Sequence, residues 1–340
     1  MTSVVALQAS AHKFITEKFQ GNEKGEFAGH INAVLNAAAV QLDYNNPSTR
    51  SDAFKAYLEL VDFKTLTVDA INSLLIDKWS NTNETWRIWV NSYGLSDFKL
   101  TQVTALGAVR KPRLIQPGAE YQTSELIGEL VNAKLETFGD LIKVDRYTIV
   151  NDDNSAIQTL VNAIAAAYDR LIGDLVYDYL RLNPVTFNTT ELFHADHENI
   201  VTATSDFEAD LASAMGVMYA QKIDINDDGS EVLRIQPKYV IVPPSKAFTA
   251  ARIVGQYNIA VTDTQKLTVI VESRLTGFSG WFLACDNPYS SIALFTLNDL
   301  MVPEVFTRAN AVFNTDGLDV KHRFDFDVRP IDYRGLVRVM

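Results

Sequence analysis

His194-Ala195-Asp196-His197 places two imidazoles and a carboxylate within four residues, a set able to ligate zinc or iron. A metal-dependent hydrolase centred on His194, Asp196 and His197 needs three or four ligands converging from several elements. The chain offers only His12, His30 and His322 besides, and His322 falls on the apolar face of a strand-like run. No recognisable ligand spacing supplies the rest, so these side chains are expected to hydrogen-bond exposed backbone in a turn. Asp224-Ile225-Asn226-Asp227-Asp228-Gly229 imitates the start of a calcium loop, but Ile235 stands where that loop requires a bidentate glutamate. Asp228-Gly229, between Lys222-Ile223 and Val232-Leu233, reads instead as a hairpin turn. Asp325 and Asp327 are expected on the solvent face of a strand among Lys321, Arg323 and Arg329. Those cations would keep both ionised and unsuited to acid catalysis. Gly277-Phe278-Ser279-Gly280 lacks the nucleophile spacing of a hydrolase elbow, and no phosphate-binding glycine loop occurs. No catalytic residue, metal site or cofactor is expected.

The His/Asp cluster follows a long helix. Ile157, Leu160, Val161, Ile164, Tyr168, Leu171, Ile172, Leu175, Val176, Tyr179 and Leu180 recur at the three-and-four spacing of one helical face. Asn151, Asp152 and Asp153 offer oxygens to the free N–H groups of the first turn. Asn183-Pro184 ends the helix, because proline disfavours helical geometry in the residue before it. A helix over 154–182 is roughly 40 Å long at 1.5 Å per residue, closer to a strut than to an average globular helix. Arg170, Asp174 and Asp178 lie four apart on its polar side, a face expected to be solvated or shared with a neighbour.

With 47% hydrophobic and 21% charged residues, the 340-residue chain has the composition of a folded protein with ample core. A net charge of −12 argues against a general nucleic-acid coat, which needs clustered Lys and Arg, but remains compatible with a container that does not grip what it encloses. Cys285 stands in the apolar run Trp281-Phe282-Leu283-Ala284-Cys285 and reads as a buried, inert thiol. No basic-then-apolar leader opens the chain, and no run approaches the ~18 apolar residues of a membrane span, so a soluble protein is expected.

Residues 1–95 read as a helical, somewhat separate region, with Trp79, Trp86 and Trp89 as packing residues near its end. From about 98 to 150 two strand-like flanks bracket a long polar excursion. One limb is basic (Arg110, Lys111, Arg113) and the other acidic (Glu120, Glu125, Glu129), around the turn Pro117-Gly118. Oppositely charged limbs fit either contacts with a neighbouring copy, where charge complementarity sets register, or a solvated hairpin. Beyond residue 184 the pattern is α/β. A capping box at Ser205-Asp206-Phe207-Glu208 opens a helix to about Gln221, and Lys238–Val242 is a strand. A helix from Lys246 to Val254 is closed by Gly255, and further strands start at Thr268 and Ser291. Val320, His322, Phe324, Phe326 and Val328 alternate with charged residues as a strand with one face buried.

Several segments, in order, resemble one known family. They include Asp97-Phe98-Lys99, Gly118-Ala119-Glu120-Tyr121, Phe138-Gly139, Asp145-Arg146, Ile149-Val150-Asn151-Asp152-Asp153 and Asn183-Pro184. Leu192-Phe193-His194, Asn199, Leu233–Pro243, Asp316-Gly317, Arg323-Phe324-Asp325 and Ile331–Gly335 complete the series. Over about 95–340 this resembles the tailed-bacteriophage major capsid proteins, in particular the Mu-like branch associated with a prohead protease. Asn154-Ser155 stands where related chains often keep an aspartate-leucine pair, and residues 1–95 match poorly.

The resemblance implies an α+β, Hong Kong 97-like fold. It has an N-terminal arm (1–95), then an extended loop (about 104–145) and a peripheral domain with spine helix 154–182 within 96–199. An axial domain (200–315) and a C-terminal strand (316–340) returning to the peripheral domain complete it. It further implies a shell of hexamers and pentamers around double-stranded DNA, assembled in the host bacterial cytoplasm as part of a virion. Partners would be other copies of the chain, a scaffold or protease, a portal and head-decoration or completion proteins. An encapsulin-like compartment is the alternative within the same fold. Arg110, Lys111, Arg113, Glu120, Glu125 and Glu129 are the expected intersubunit contacts.

Overall fold

Alternation and helical spacing divide the chain into the elements that the computed structural model contains. It describes residues 72, 75–108, 114–118, 120, 127–145, 155–185, 190–225, 229–286, 288–312 and 315–340. Most of 1–95 and the first-turn oxygens Asn151–Asp153 lie outside the described residues, as do Arg110, Lys111, Arg113 and Glu125. In chain order the strands begin with β1 (Asn91–Leu95), β2 (Thr101–Ala108), β3 (Ile127–Ala133) and β4 (Glu136–Asp145). Helix α1 (Ser155–Leu182) follows, then β5 (Ile200–Val201), α2 (Phe207–Ala220), β6 (Lys222–Ile225), β7 (Gly229–Val232) and β8 (Pro237–Val242). The chain continues with α3 (Ala247–Ala260), β9 (Thr268–Val271), β10 (Trp281–Cys285), β11 (Ile292–Leu297), β12 (Glu304–Val312), β13 (Thr315–Pro330) and β14 (Leu336–Val339). Helix and sheet are mixed, as an α+β protein requires.

The chain forms two compact units. One comprises Met1–Asp77, Asp140–Ala163 and Glu304–His322; the other Lys78–Gly139, Ile164–Pro303 and Arg323–Met340. In the first, Leu75, Val161, Val305 and Val320 are buried, and Asn72 Oδ1 accepts a hydrogen bond from the Val305 amide at 3.1 Å.

The second unit holds a five-stranded sheet in the order β5-β14-β10-β8-β9. Its apolar face joins α2 and α3 through Leu211, Ala214, Met218, Val240, Ala250, Ile253, Trp281 and Val337. Burying side chains of this size stabilises by about 1.5–3 kcal/mol each. Asp206 caps α2, its Oδ1 accepting from the Glu208 amide at 3.0 Å. The expected Ser205–Glu208 box does not form: the cap is Asp206, and Asp210 rather than Glu208 reaches back, accepting from the Thr204 amide at 2.9 Å and from Thr204 Oγ1 at 2.7 Å. Helix α3 does not close at Gly255. Its apolar spacing continues to Tyr257, and Asn258 in the last turn bonds both the amide and the carbonyl of Leu267 at 2.8 Å.

In the same unit β1 pairs in parallel with β11, which pairs antiparallel with the end of β13. The tail of the region expected to be helical is therefore a strand, covered by Leu95, Val131, Leu135 and Phe295 in one small core. The aromatic alternation of β13 is buried as expected, with Phe326 stacked on Phe138 of β4 at 4.5 Å and Phe324 edge-on to Trp79 and Tyr168. Asp325 and Asp327 are not on a solvent face. Strand β4 pairs β13, and both carboxylates are buried. Thr137 Oγ1 donates to Asp325 Oδ1 at 2.6 Å, while Arg329 Nε donates to Asp327 Oδ2 at 2.8 Å and the Lys134 amide at 3.3 Å. Buried carboxylates persist when paired in this way.

Candidate functional site

The His/Asp cluster sits where α1 hands the chain to the sheet. Asn183 adopts the left-handed conformation (φ 52) just past the helix, which asparagine tolerates. Its side chain accepts from the Phe193 amide at 2.7 Å and donates to the Phe193 carbonyl at 3.0 Å, drawing the next segment back against the helix end. Ala195–His197 then forms a single 3₁₀ turn, with the His194 Nδ1 accepting from the Asp196 amide at 3.1 Å. His197 is buried; its Nδ1 lies 3.2 Å from the Leu192 carbonyl, which fixes the proton on that nitrogen. Its ring stacks on Tyr333 at 3.8 Å and 7°. Burial lowers its pKa, with the positive charge of Arg334 acting in the same direction. Buried Asn199 donates to the Leu192 carbonyl at 2.8 Å and accepts from the His194 amide at 3.1 Å. The cluster finishes a turn, as its sequence suggests. Among the described residues no group of three or more His, Cys, Asp or Glu side chains is arranged to hold a metal ion.

A second polar constellation had no sequence signal. Arg274, just after β9, reaches four groups from three separate parts of the chain. Its guanidinium donates to Glu84 Oε2 at 2.8 Å, Asp174 Oδ1 at 2.5 Å, Glu272 Oε1 at 3.3 Å and the Arg170 carbonyl at 3.3 Å. Gly173 makes this possible: a Cβ there would come within 2.8 Å of the Arg274 guanidinium. Burial pulls the Arg274 pKa down, but its bonds to Glu84 and Asp174 more than offset this and move it upward overall. Glu272 is only 2% exposed and also accepts from Thr85 Oγ1 and, at 2.9 Å, from the Arg274 amide. Thr85 Oγ1 lies 2.8 Å from the Tyr177 hydroxyl. Glu84, Thr85, Arg170, Glu272 and Arg274 line an open cleft of about 430 Å³. Its acids are neutralised by an arginine that keeps its proton, an arrangement that braces segments rather than moves protons.

The same face of α1 clamps the tryptophans. Trp86 Nε1 donates to Asp169 Oδ1 at 2.9 Å and Trp89 Nε1 to the Tyr177 hydroxyl at 3.3 Å, two helical turns apart. Arg87 Nε pairs with Asp169 Oδ1 at 2.9 Å and its guanidinium stacks over the Trp79 ring at 4.2 Å. Asp174 serves Arg274 and Asp178 pairs with Arg181, so the polar side of α1 is only partly solvated. Cys285 is buried, donates to the Tyr289 carbonyl at 2.9 Å, and has its pKa pushed up chiefly by burial.

Strands β2 and β3 form an antiparallel hairpin. Its register runs from Thr101↔Ala133 to Ala108↔Ile127, with an irregularity between Thr104 and Gly107. Of the six expected contact residues, Glu120 is exposed and Glu129 belongs to β3, while the other four lie outside the described residues. The turn at Pro117-Gly118 is present, with Gly118 at φ 89.

Comparison with known proteins adds the following. A family model described as phage capsid protein matches residues 128–339. No curated protein sequence matches the chain. Among solved structures, a phage-related protein from Bordetella bronchiseptica RB50 aligns with 12% identity over 78% of this chain and 95% of its own, at a TM-score of 0.49. Microbacterium phage Oxtober96 aligns with 13% identity over 76% and 91%, at 0.47. The holo-SrpI encapsulin complex from Synechococcus elongatus PCC 7942 gives 8% identity over 76% and 88%, at 0.47.

Proposed function

Because the chain belongs to the phage capsid protein family, we propose that it works as a major head protein, many copies of which join as hexamers and pentamers into an icosahedral or prolate shell around double-stranded DNA. The family match carries this reading: it takes in nearly all of β3, the long helix α1 and the whole of the β5-β14-β10-β8-β9 sheet. The element order supports a Hong Kong 97-like plan, with a hairpin, a 28-residue helix and an α/β body, although β14 joins the helix-covered sheet rather than returning to the part that holds α1. The role is structural. The described polar clusters support it, because their charges tie one chain segment to another. The excess negative charge suits a shell whose contents are held by enclosure rather than by phosphate contacts.

In this reading the hairpin is the extended loop, α1 the spine of a peripheral domain, and the helix-covered sheet the axial domain. The chain falls in the Mu-like, protease-associated branch. It assembles in the host bacterial cytoplasm with a scaffold or protease, a portal and head-decoration or completion proteins. Arg110, Lys111 and Arg113 of one copy meet acidic groups of the next, with Glu120, Glu125 and Glu129 serving the opposite contact.

Electron microscopy of the full-length chain, expressed with and without a scaffold, tests the proposal. Closed shells are expected; a small oligomer under every condition would refute it. Reversing Arg110, Lys111 and Arg113 to Glu should abolish shells while leaving the urea midpoint of the unassembled subunit unchanged. An equal loss of subunit stability would instead place those charges in contacts within the chain.

A further inference from the structure

Helices α2 and α3 pack on one core through Leu211, Ala214, Met218, Ala250, Ile253 and Val254, which leaves each helix an outward face. The two outward faces are unlike. On α3, Phe248 and Ile259 are 83% and 88% exposed, among the most exposed large apolar side chains described. They stand eleven residues apart, three turns along one line of the helix, with Gly255 between them. The result is a ridge of two knobs separated by a gap. On α2, Ala209, Ala212, Ser213, Gly216 and Ala220 are all exposed and share one face. That face carries no charge, whereas a helix lying on solvent normally presents charged residues outward. Its one hydroxyl is already satisfied, since Ser213 donates to the Ala209 carbonyl at 2.9 Å, so water is not needed there.

The glycines point the same way. Gly216 and Gly255 are mid-helix, where glycine weakens a helix relative to alanine. Neither has a positive φ, and a Cβ at either would meet nothing within 4 Å. Nothing inside the subunit requires them, and the open space at each admits close approach of a second helix. Charge fits as well: Arg252 flanks the α3 ridge and Glu208 flanks the α2 furrow, both exposed.

We propose that the Phe248–Ile259 ridge of one subunit seats in the Ala209–Ala220 furrow of the next, Arg252 facing Glu208 across the contact. A second copy is the occupant because the apolar ridge with its Arg252 and the uncharged furrow with its Glu208 sit on the same chain. Each face complements the other and not itself, so the contact is head-to-tail and repeats around a ring. This deepens the shell reading and rests on it.

The test uses two full-length single variants, Gly216→Cys and Ile259→Cys, mixed, assembled with scaffold and oxidised with copper–phenanthroline. Disulfide-linked dimers are expected from the mixture but not from either variant alone; Cys285 is buried and contributes none. Shells that form without the mixed dimer overturn this contact and leave the shell reading standing. Failure of the unsubstituted chain to form shells overturns both. Gly216→Leu gives an independent check that does not depend on cysteine chemistry. It fills the furrow in open space, so its urea midpoint should hold or rise while shell yield falls at least tenfold. Unchanged yield would overturn the proposal.

Discussion

Replacing Arg274 with Met tests whether the constellation around it braces the subunit. The substitution keeps an unbranched chain in the space left by Gly173 but removes the guanidinium that serves Glu84, Asp174, Glu272 and the Arg170 carbonyl. Asp174 is well exposed and can be rehydrated, so its share is small. Glu84 is half-buried and loses a charged partner. Glu272 decides the magnitude. Stripping one partner from a fully buried ion pair costs about 3–5 kcal/mol. Here the carboxylate keeps bonds from Thr85 Oγ1 and the Arg274 amide, which lowers the expected loss to about 2–3 kcal/mol. Urea denaturation of the unassembled full-length subunit at neutral pH measures this. Arg274→Lys should recover only part, because one ammonium cannot reproduce a planar fork. Arg274→Met combined with Glu272→Gln should recover more than Arg274→Met alone, since no buried charge is then left unpaired. A loss under about 0.5 kcal/mol for Arg274→Met, or no recovery in the double variant, would refute the bracing argument.

Two further outcomes follow from the same geometry. The His197 pKa lies below its ordinary 6.5 in the folded subunit, so the unfolded chain binds the proton more readily and stability should fall as pH drops below about 6.5. His322, also lowered mainly by burial, acts in the same direction; His197→Gln should flatten the slope in urea titrations between pH 7.5 and 5.5, and an unchanged slope would contradict the assignment. Asp210→Ala removes the acceptor for the Thr204 amide and hydroxyl while leaving the Asp206 cap, and should cost about 1–2 kcal/mol by the same assay; a neutral result would mean water replaces the carboxylate.

What could be read from the sequence was what depends on neighbours along the chain. The spacing from Ile157 to Leu180 marks α1 to within a residue of Ser155–Leu182. Alternation marks β13, and the apolar run at Trp281–Cys285 marks β10. Gly255 misled because its residue type signals a helix end while the spacing of Ile253, Val254 and Tyr257 carries α3 onward. Asp325 and Asp327 misled for a different reason. Period two says which residues share a face, but not that Thr137 of β4 and the Lys134 amide just before it meet that face. Arg274 lay beyond reach altogether, since its partners at 84 and 174 are separated from it by about a hundred residues or more. The charged hairpin residues that define the expected contacts were legible only as opposite signs on two limbs. Partners on another copy leave no trace in the periodicity of one chain.

The position of β14 bears on the order in which the molecule can be made. This strand lies between β5, which it joins in parallel, and β10, which it joins antiparallel, so the sheet is completed from its interior by its last-translated strand. Until Leu336–Val339 emerges, β5 lacks its pairing partner and one edge of β10 stands open. Such open edges invite pairing with other chains. A subunit truncated before β14 would therefore be missing an inner strand rather than a dispensable tail. The helices that lie over the sheet would share that defect, because Val337 and Val339 belong to their core. The helix-covered face is therefore complete only once β14 is in place.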